Sequence, residues 1–440
     1  MSATTIERPT TERPTAVRTG TARSGTRQSP RSEPAQPRSL VAVTGVLDRQ
    51  DEHGFLRAEG YLPGPGDLYV PPAMIRQHGL RAGDLIDGVA EARRDEADGQ
   101  MSFTSSASPT SSASPTSSTS AKALKSAKAR PLVRIDTING RPVGHSSPRP
   151  NFATMTALYP QDRLRLETGP GQPGTRIIDL LAPIGKGQRG LIVAPPKTGK
   201  TMLLQAIAAG ISHNHPEVHL MVVLVDERPE EVTDMRRSVD GEVIASTFDR
   251  PAHEQTAMAD LAVERAKRLA ELGHDVVILL DSLTRLCRAH NSNARSGGRT
   301  LSGGVDAASV AAPKQLFGAA RNLQDGGSLT ILATALIDTG SRADDYYFEE
   351  LKSTGNMELR LDRSLSDKRV FPAIDIAGSG TRRDEILVPA DELEAVHRLR
   401  RVLRGQSNQQ AVELLVERTK HTASNREFLQ QIMHTTPSGS

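Results

Sequence analysis

The stretch GLIVAPPKTGKTMLL, Gly190–Leu204, constrains the chain more than any other. An apolar run (RGLIVA) leads into a tight loop (PPKTG) and then into a helix-forming segment that begins KTMLLQAIAAG. Strand, loop and helix in that order place backbone N–H groups at a helix N-terminus, where they cradle phosphates. In such a loop Lys200 reaches the β- and γ-phosphates and the Thr201 hydroxyl ligates Mg²⁺. Ala194 stands where the generic motif has its first glycine, but Gly199-Lys200-Thr201 is intact, and Pro195-Pro196 presets a tight turn.

The surrounding pattern fits an α/β domain. From about residue 166 the runs RGLIVA, VHLMVVLVD, DVVILLD and SLTILATAL are continuously apolar rather than alternating. Strands of a parallel sheet buried on both faces read this way. EQTAMADLAVERAKRLAEL (254–272) has helical spacing between two of them. Two strands end in acids. Asp281 is placed to serve a Mg²⁺ shell, and Glu227, one residue past its apolar run, to orient or deprotonate water. A single strand-end acid ordinarily caps the next helix; two of them after a phosphate loop favour catalysis. The histidines of HNHPEVH (213–219) have no cysteine or carboxylate cluster beside them and read as a polar loop.

The N-terminal part differs. Residues 1–40 carry seven Arg against three Glu and few apolar residues, which predicts a disordered basic tail. Residues 41–140 alternate short β-type runs with Gly/Pro/Asp turns, as small all-β barrels do. They are interrupted at 104–130, where TSSASP repeats in tandem and AKALKSAKAR follows; this predicts a flexible insert with a basic end. Residues 141–165 read as a connector, 166–430 as the α/β domain and 431–440 as a tail. The lone cysteine, Cys287, excludes an intrachain disulfide and suits a reducing, cytoplasmic setting. No apolar run is long enough to span a membrane, and none in the first 40 residues resembles a signal peptide.

Eight ordered motifs carry a resemblance: GLIVAPPKTGKTMLL, VDERPEEVTDMRRSV, LLDSLTRLCRAHN, LSGGVDA, LIDTGSR, STGNMEL, KRVFPAIDI and SGTRRDE. Together they resemble the Rho family of bacterial transcription termination factors over about 41–430, the insert apart. That family's phosphate loop is itself APPK-x-GKT, which accounts for Ala194. The resemblance implies a RecA-like P-loop ATPase domain preceded by a small OB/cold-shock-like barrel, in a homohexameric ring. It implies ATP and Mg²⁺ as ligands, single-stranded RNA as the translocated strand, and the RNA polymerase elongation complex with its elongation factors as partners. The implied activity is RNA-dependent, 5′–3′ helicase-type translocation that releases nascent RNA.

Carried over, the ATP site comprises Gly185, Lys186, Gly187, Gln188, Arg189 and Gly190, then Lys197, Thr198, Gly199, Lys200, Thr201 and Met202, with Arg228 and with Phe371 against the adenine. Glu227 is the implied catalytic acid and Asp281 the Mg²⁺ partner; Arg382 and Arg369 would reach across a subunit boundary. Arg299, Thr300, Leu301, Ser302, Gly303, Gly304 and Arg342 would line the central channel. The primary RNA face would be Glu52, His53, Gly54, Phe55, Leu56 and Arg57 with Asp67, Leu68 and Tyr69. Phe55 and Tyr69 would stack on bases and Arg57 would pair with phosphate. The chain departs from the family at His53, where an aromatic is usual, and before the last barrel strand, where AKAR replaces an acidic–aromatic pair. RNA affinity is therefore expected to lean on the charges of 1–40 and 122–130. Other RecA-like ring ATPases, of the rotary or DNA strand-exchange kind, share the fold, and an RNA-binding regulator with a degenerate ATPase is the non-enzymatic alternative.

Overall fold

The computed structural model describes residues 39–92, 130–144, 149–294 and 300–435. All but the last two residues of the basic tail and nearly all of the 104–130 insert lie outside the described residues; Leu40 already opens the first strand.

The first sheet is a barrel. Strands β1 (Leu40–Gln50), β2 (His53–Arg57), β3 (Leu68–Val70), β4 (Leu85–Glu91) and β5 (Arg130–Ile138) pair in the order β3-β2-β1-β4-β5, and β3 closes on β5. Short β6 (Arg141–Pro142) turns back to pair antiparallel with the end of β5. The chain leaves the barrel after β4 and returns as β5 in antiparallel register with it, so the insert interrupts the barrel without breaking it. Inward residues Leu47, Leu56, Leu68, Val70, Ile86 and Leu132 form its core.

The segment read as a connector is partly structural. β7 (Ala157–Leu158) pairs with β16 (Arg321–Leu323), β8 (Arg163–Leu164) with β9 (Ile184–Gly185), and Phe152 is buried in the second domain's core. Lys267 and Arg321 both approach the Phe152 ring, at 5.8 and 5.0 Å.

The second sheet has nine strands. Its main path is β12 (Glu242–Thr247), β11 (His219–Glu227), β13 (Asp275–Asp281), β17 (Ser328–Leu336), β10 (Arg189–Ala194), β18 (Met357–Arg360) and β19 (Gly380–Thr381). All neighbours from β12 to β18 run parallel. Strand alternation sends Leu191 and Val193 to one apolar cluster and Ile192 and Ala194 to another, so helices cover both faces. A hairpin, β14 (Thr300–Leu301) and β15 (Val305–Asp306), projects beyond the helix Leu283–Asn293. Three helices, Ala390–Arg404, Asn408–Lys420 and Asn425–Thr435, complete one face. The last two are joined by the fully buried Arg176, which donates to Thr422 Oγ1 and Asn425 Oδ1 at 2.9 and 3.0 Å.

The barrel is seated on the long helix Ala252–Glu271. Gly83 adopts φ +80°, and a Cβ there would stand 2.3 Å from the backbone carbon of Glu264. Only glycine allows that approach. Gly83→Ala is expected to destabilise the protein by about 1–3 kcal/mol and to lower its denaturant midpoint; an unchanged midpoint would show that the contact is dispensable. Tyr61, buried beside the same helix, donates from its hydroxyl to Glu242 at 2.8 Å. Glu242 also lies 3.1 Å from His219 Nε2.

Candidate active site and RNA-binding face

Ala194 is the last residue of β10 and is fully buried, its methyl part of the core. The position that a generic motif gives to glycine is here inside the strand, so no backbone freedom is needed until the loop itself. There Lys197 and Gly199 take positive φ, 68° and 84°, and Thr198 donates to the Pro195 carbonyl at 2.7 Å. Lys200 opens the following helix, Lys200–Asn214.

Parallel strands deliver their carboxyl ends to one edge, and the expected acids meet there. Lys200 Nζ lies 2.5 Å from Asp281 and 3.9 Å from Glu227. Asp281, 2% exposed, also accepts from Thr334 at 2.8 Å. Glu227, equally buried, is the final residue of β11 rather than one beyond it: Asp226 takes φ +59°, and the register with β12 shifts there, turning Glu227 to the cleft. Burial first, and then the Asp281 charge, raise its pKa above the ordinary glutamate range. Its Oε2 lies 2.9 Å from Arg285 but makes no hydrogen bond of acceptable geometry among the described residues. Arg285 also donates to the Asp226 carbonyl. The motif reading gave Arg285 no role. Its position one helical turn after Asp281 was the only signal.

Phe371 is 47% exposed and lies against the loop; a Cβ on Gly199 would sit 3.4 Å from its ring. Met202 is 75% exposed on the first turn of the helix, and Arg228 is exposed directly after Glu227. Arg369, also exposed, is two residues from Phe371 on the same edge.

The stretch before β10 lies elsewhere than a contiguous motif suggests. Gly185–Gly190 enters β10 from the opposite edge: Lys186 pairs with Asp275, the first residue of β13, and Gly187 packs on Asn322. Arg189 and Ala194 are five strand residues apart, roughly 16 Å, so this stretch cannot touch phosphates held by its own loop. Arg382 lies on that far edge too, its N–H donating to Asn356, whose own N–H donates to Arg189.

On the barrel, β2 alternates. His53 and Phe55 face outward; Gly54 and Leu56 face inward. Leu56 and Leu68 are fully buried core residues, which removes both from the expected RNA face. Glu52 is exposed in the preceding turn. Phe55 is paired with Tyr69 across the strands, and the rings of His53, Phe55 and Tyr69 form a triangle with centroids 5.9, 6.1 and 6.0 Å apart. Arg57 is not a free phosphate contact: it is 5% exposed and paired with both Asp48 and Asp67. Its guanidinium lies 5.6 Å from the Phe55 centroid. Arg57 Nε and Asp67 Oδ1 stay buried without partners among the described residues, a donor and an acceptor close to the rings.

Of the channel residues, Arg299 lies outside the described residues. Thr300, Leu301, Ser302, Gly303 and Gly304 form the hairpin tip, and a Cβ on Gly303 would meet the Arg342 and Ala343 backbone at 3.1 Å. The two predicted loops therefore touch.

Residues 43–144 match the family described as "Rho termination factor, RNA-binding domain", and 174–381 match "ATP synthase alpha/beta family, nucleotide-binding domain". The transcription termination factor Rho of Streptosporangium roseum is 55% identical over 409 residues, covering 92% of this chain and 97% of that protein. This chain belongs to the Rho family. A second Rho factor, from Streptomyces lividans, is 59% identical over 398 residues, 90% of this chain but 52% of its own length. The chain thus spans about half of that relative and, at 55%, about half of the Rho factor of Micrococcus luteus. A type III secretion ATPase shares the fold at TM-score 0.53 and 23% identity, over 63% of this chain and 86% of that one. The P-loop cluster thus falls in the stretch matched to a nucleotide-binding domain, and the barrel in the stretch matched to an RNA-binding domain. No helix among the described residues is long and apolar enough to cross a membrane.

Proposed function

We propose that this chain is a transcription terminator that hydrolyses ATP to draw single-stranded RNA 5′ to 3′ through a homohexameric ring and so release it from the RNA polymerase elongation complex. The convergence of Lys200, Glu227 and Asp281 at one sheet edge, in a chain that also carries a ring-bearing barrel, supports this most strongly. The far-edge position of Arg382 favours a ring, because this arginine serves a nucleotide only on a neighbouring copy.

In this reading Lys200 exchanges its carboxylate partners for the β- and γ-phosphates, and Phe371 packs on the base. Glu227, its pKa raised and its Oε2 without a hydrogen bond among the described residues, accepts a proton from the attacking water. Arg285 holds that carboxylate in place. The hydroxyl of Thr201 and the carboxylate of Asp281 are hard oxygen donors that suit Mg²⁺. Bound there, the ion would neutralise charge on the β- and γ-phosphates. RNA bases stack on Phe55 and Tyr69, and the unused Arg57 donor and Asp67 acceptor meet a base edge rather than a phosphate. The hairpin tip and Arg342 hold the strand in the channel. Charges in 1–40 and 122–130 add non-specific grip.

The deciding measurement is ATPase rate with poly(C), with duplex DNA and with neither, alongside the mass of the assembly. Stimulation by poly(C) alone in a hexamer is expected; stimulation by duplex DNA would instead favour a strand-exchange ATPase. Phe55→Ala is expected to weaken RNA binding by about 1–3 kcal/mol, measured by fluorescence anisotropy with a C-rich oligonucleotide. Unaltered affinity would remove Phe55 from the interface.

A further inference from the structure

A cavity of about 450 Å³ lies where the barrel meets the second domain, apart from both the phosphate loop and the ring triangle. Its volume falls in the roughly 300–1,000 Å³ range of small-molecule pockets. The barrel contributes Arg81 and the turn that bears Arg141, the connector Arg149, and the helix Ala252–Glu271 Arg268 and Glu271.

The charges there do not balance. Among the described residues Glu271 is the sole carboxylate in the lining; it takes both ends of Arg81, at 2.9 and 3.1 Å, and Arg268 at 3.2 Å. Arg149 pairs with Asp84 behind the wall. Glu264, the remaining acid near Arg268, already holds Lys267 at 2.6 Å. Of the lining, Arg81, Arg141, Arg149 and Arg268 are four cations against Glu271 and, behind the wall, Asp84, a surplus of two. Arg141 has no ion pair or side-chain hydrogen bond among the described residues and is exposed on its turn. Arg268 is 5% exposed, yet its Nε has no partner among the described residues. Burial, and after it the neighbouring Arg268 charge, lower the pKa of Arg81, as crowded guanidiniums require.

We propose that this cavity is a binding site for a phosphorylated small molecule of mononucleotide size, its phosphate dianion taken by Arg141 and Arg268. Two surplus positive charges match one phosphate monoester, and bidentate guanidinium geometry suits its oxygens. Phosphate alone would fill little of the volume; Ile138, Val143 and Leu272 offer an apolar wall for the organic part. A ligand there touches the barrel, the connector and the helix on which the barrel sits, so its binding stabilises that junction.

The test uses the full chain with its phosphate loop saturated by a non-hydrolysable ATP analogue. Inorganic phosphate, AMP and GMP are titrated by calorimetry into the unaltered chain and into Arg141→Glu, a change on an exposed turn. The expected result is one saturable site per chain, tighter for a nucleotide than for inorganic phosphate and weakened at least tenfold by Arg141→Glu, with RNA-stimulated ATPase unchanged in the absence of added ligand. Three results would each overturn the proposal: no saturable binding of any of the three probes, binding that survives Arg141→Glu, or a loss of poly(C) affinity in Arg141→Glu without small-molecule binding. The last would assign the arginines to the RNA path instead.

Discussion

Glu227→Gln is expected to lower RNA-stimulated ATP hydrolysis by about 10²–10⁴-fold, the usual worth of a positioned general base, while leaving ATP affinity within a few-fold. The amide keeps the size of the side chain but cannot accept the proton. Lys200, Asp281 and Phe371, which would hold the nucleotide, are untouched. The pH profile adds a second reading. Burial and Asp281 raise the Glu227 pKa, so its protonated form persists above the ordinary glutamate range. The base must be ionised, so activity falls as pH falls through that raised value, and the acid limb of kcat lies higher than an exposed glutamate would place it. Glu227→Gln should flatten that limb. A variant that keeps both the rate and the limb would transfer the role elsewhere.

Arg382→Ala is expected to cost about 10³-fold or more in kcat, as arginine fingers do, and Lys200→Ala to abolish hydrolysis by removing the phosphate contact. The informative experiment mixes the two. Arg382 lies on the sheet edge opposite its own phosphate loop. In a mixed ring, an Arg382→Ala subunit retains an intact loop and can borrow the arginine of a Lys200→Ala neighbour. Partial recovery on mixing is therefore expected, maximal near equal proportions. A mixture no more active than its parts would show that the two residues do not share a site across a boundary. Preserved activity in Arg382→Ala alone would remove the finger altogether.

The sequence made the architecture legible because parallel strands buried on both faces leave an unmistakable trace. RGLIVA and DVVILLD have no alternation to confuse with an amphipathic strand, and both are strands of the large sheet. The barrel's interruption was equally legible, since a Ser/Thr/Ala/Pro tract cannot contribute to a core. Motif order also found the loop, both acids and the outward rings. What it could not convey is which end of a strand a residue occupies in space. GKGQRG precedes the phosphate loop by only a few residues, yet those residues are a full strand, so the stretch lies across the sheet. Facing was likewise invisible for Leu56 and Leu68, because a contiguous motif takes in both sides of a strand. Arg285 and Tyr61 were missed for another reason: their partners, Glu227 and Glu242, are 58 and 181 positions away.

Strand β11 ends at Glu227 and begins at His219, whose neighbour Glu242 accepts the barrel's Tyr61 hydroxyl. One covalent rod of nine residues thus has the proposed catalytic carboxylate at one end and the barrel's foothold at the other. Thermodynamic reciprocity then governs the pair: whatever factor RNA on the barrel imposes on nucleotide affinity through that rod, nucleotide must impose on RNA affinity in return. Severing the foothold with Tyr61→Phe should diminish both factors equally, leaving two binding events on one chain that no longer sense each other by this route.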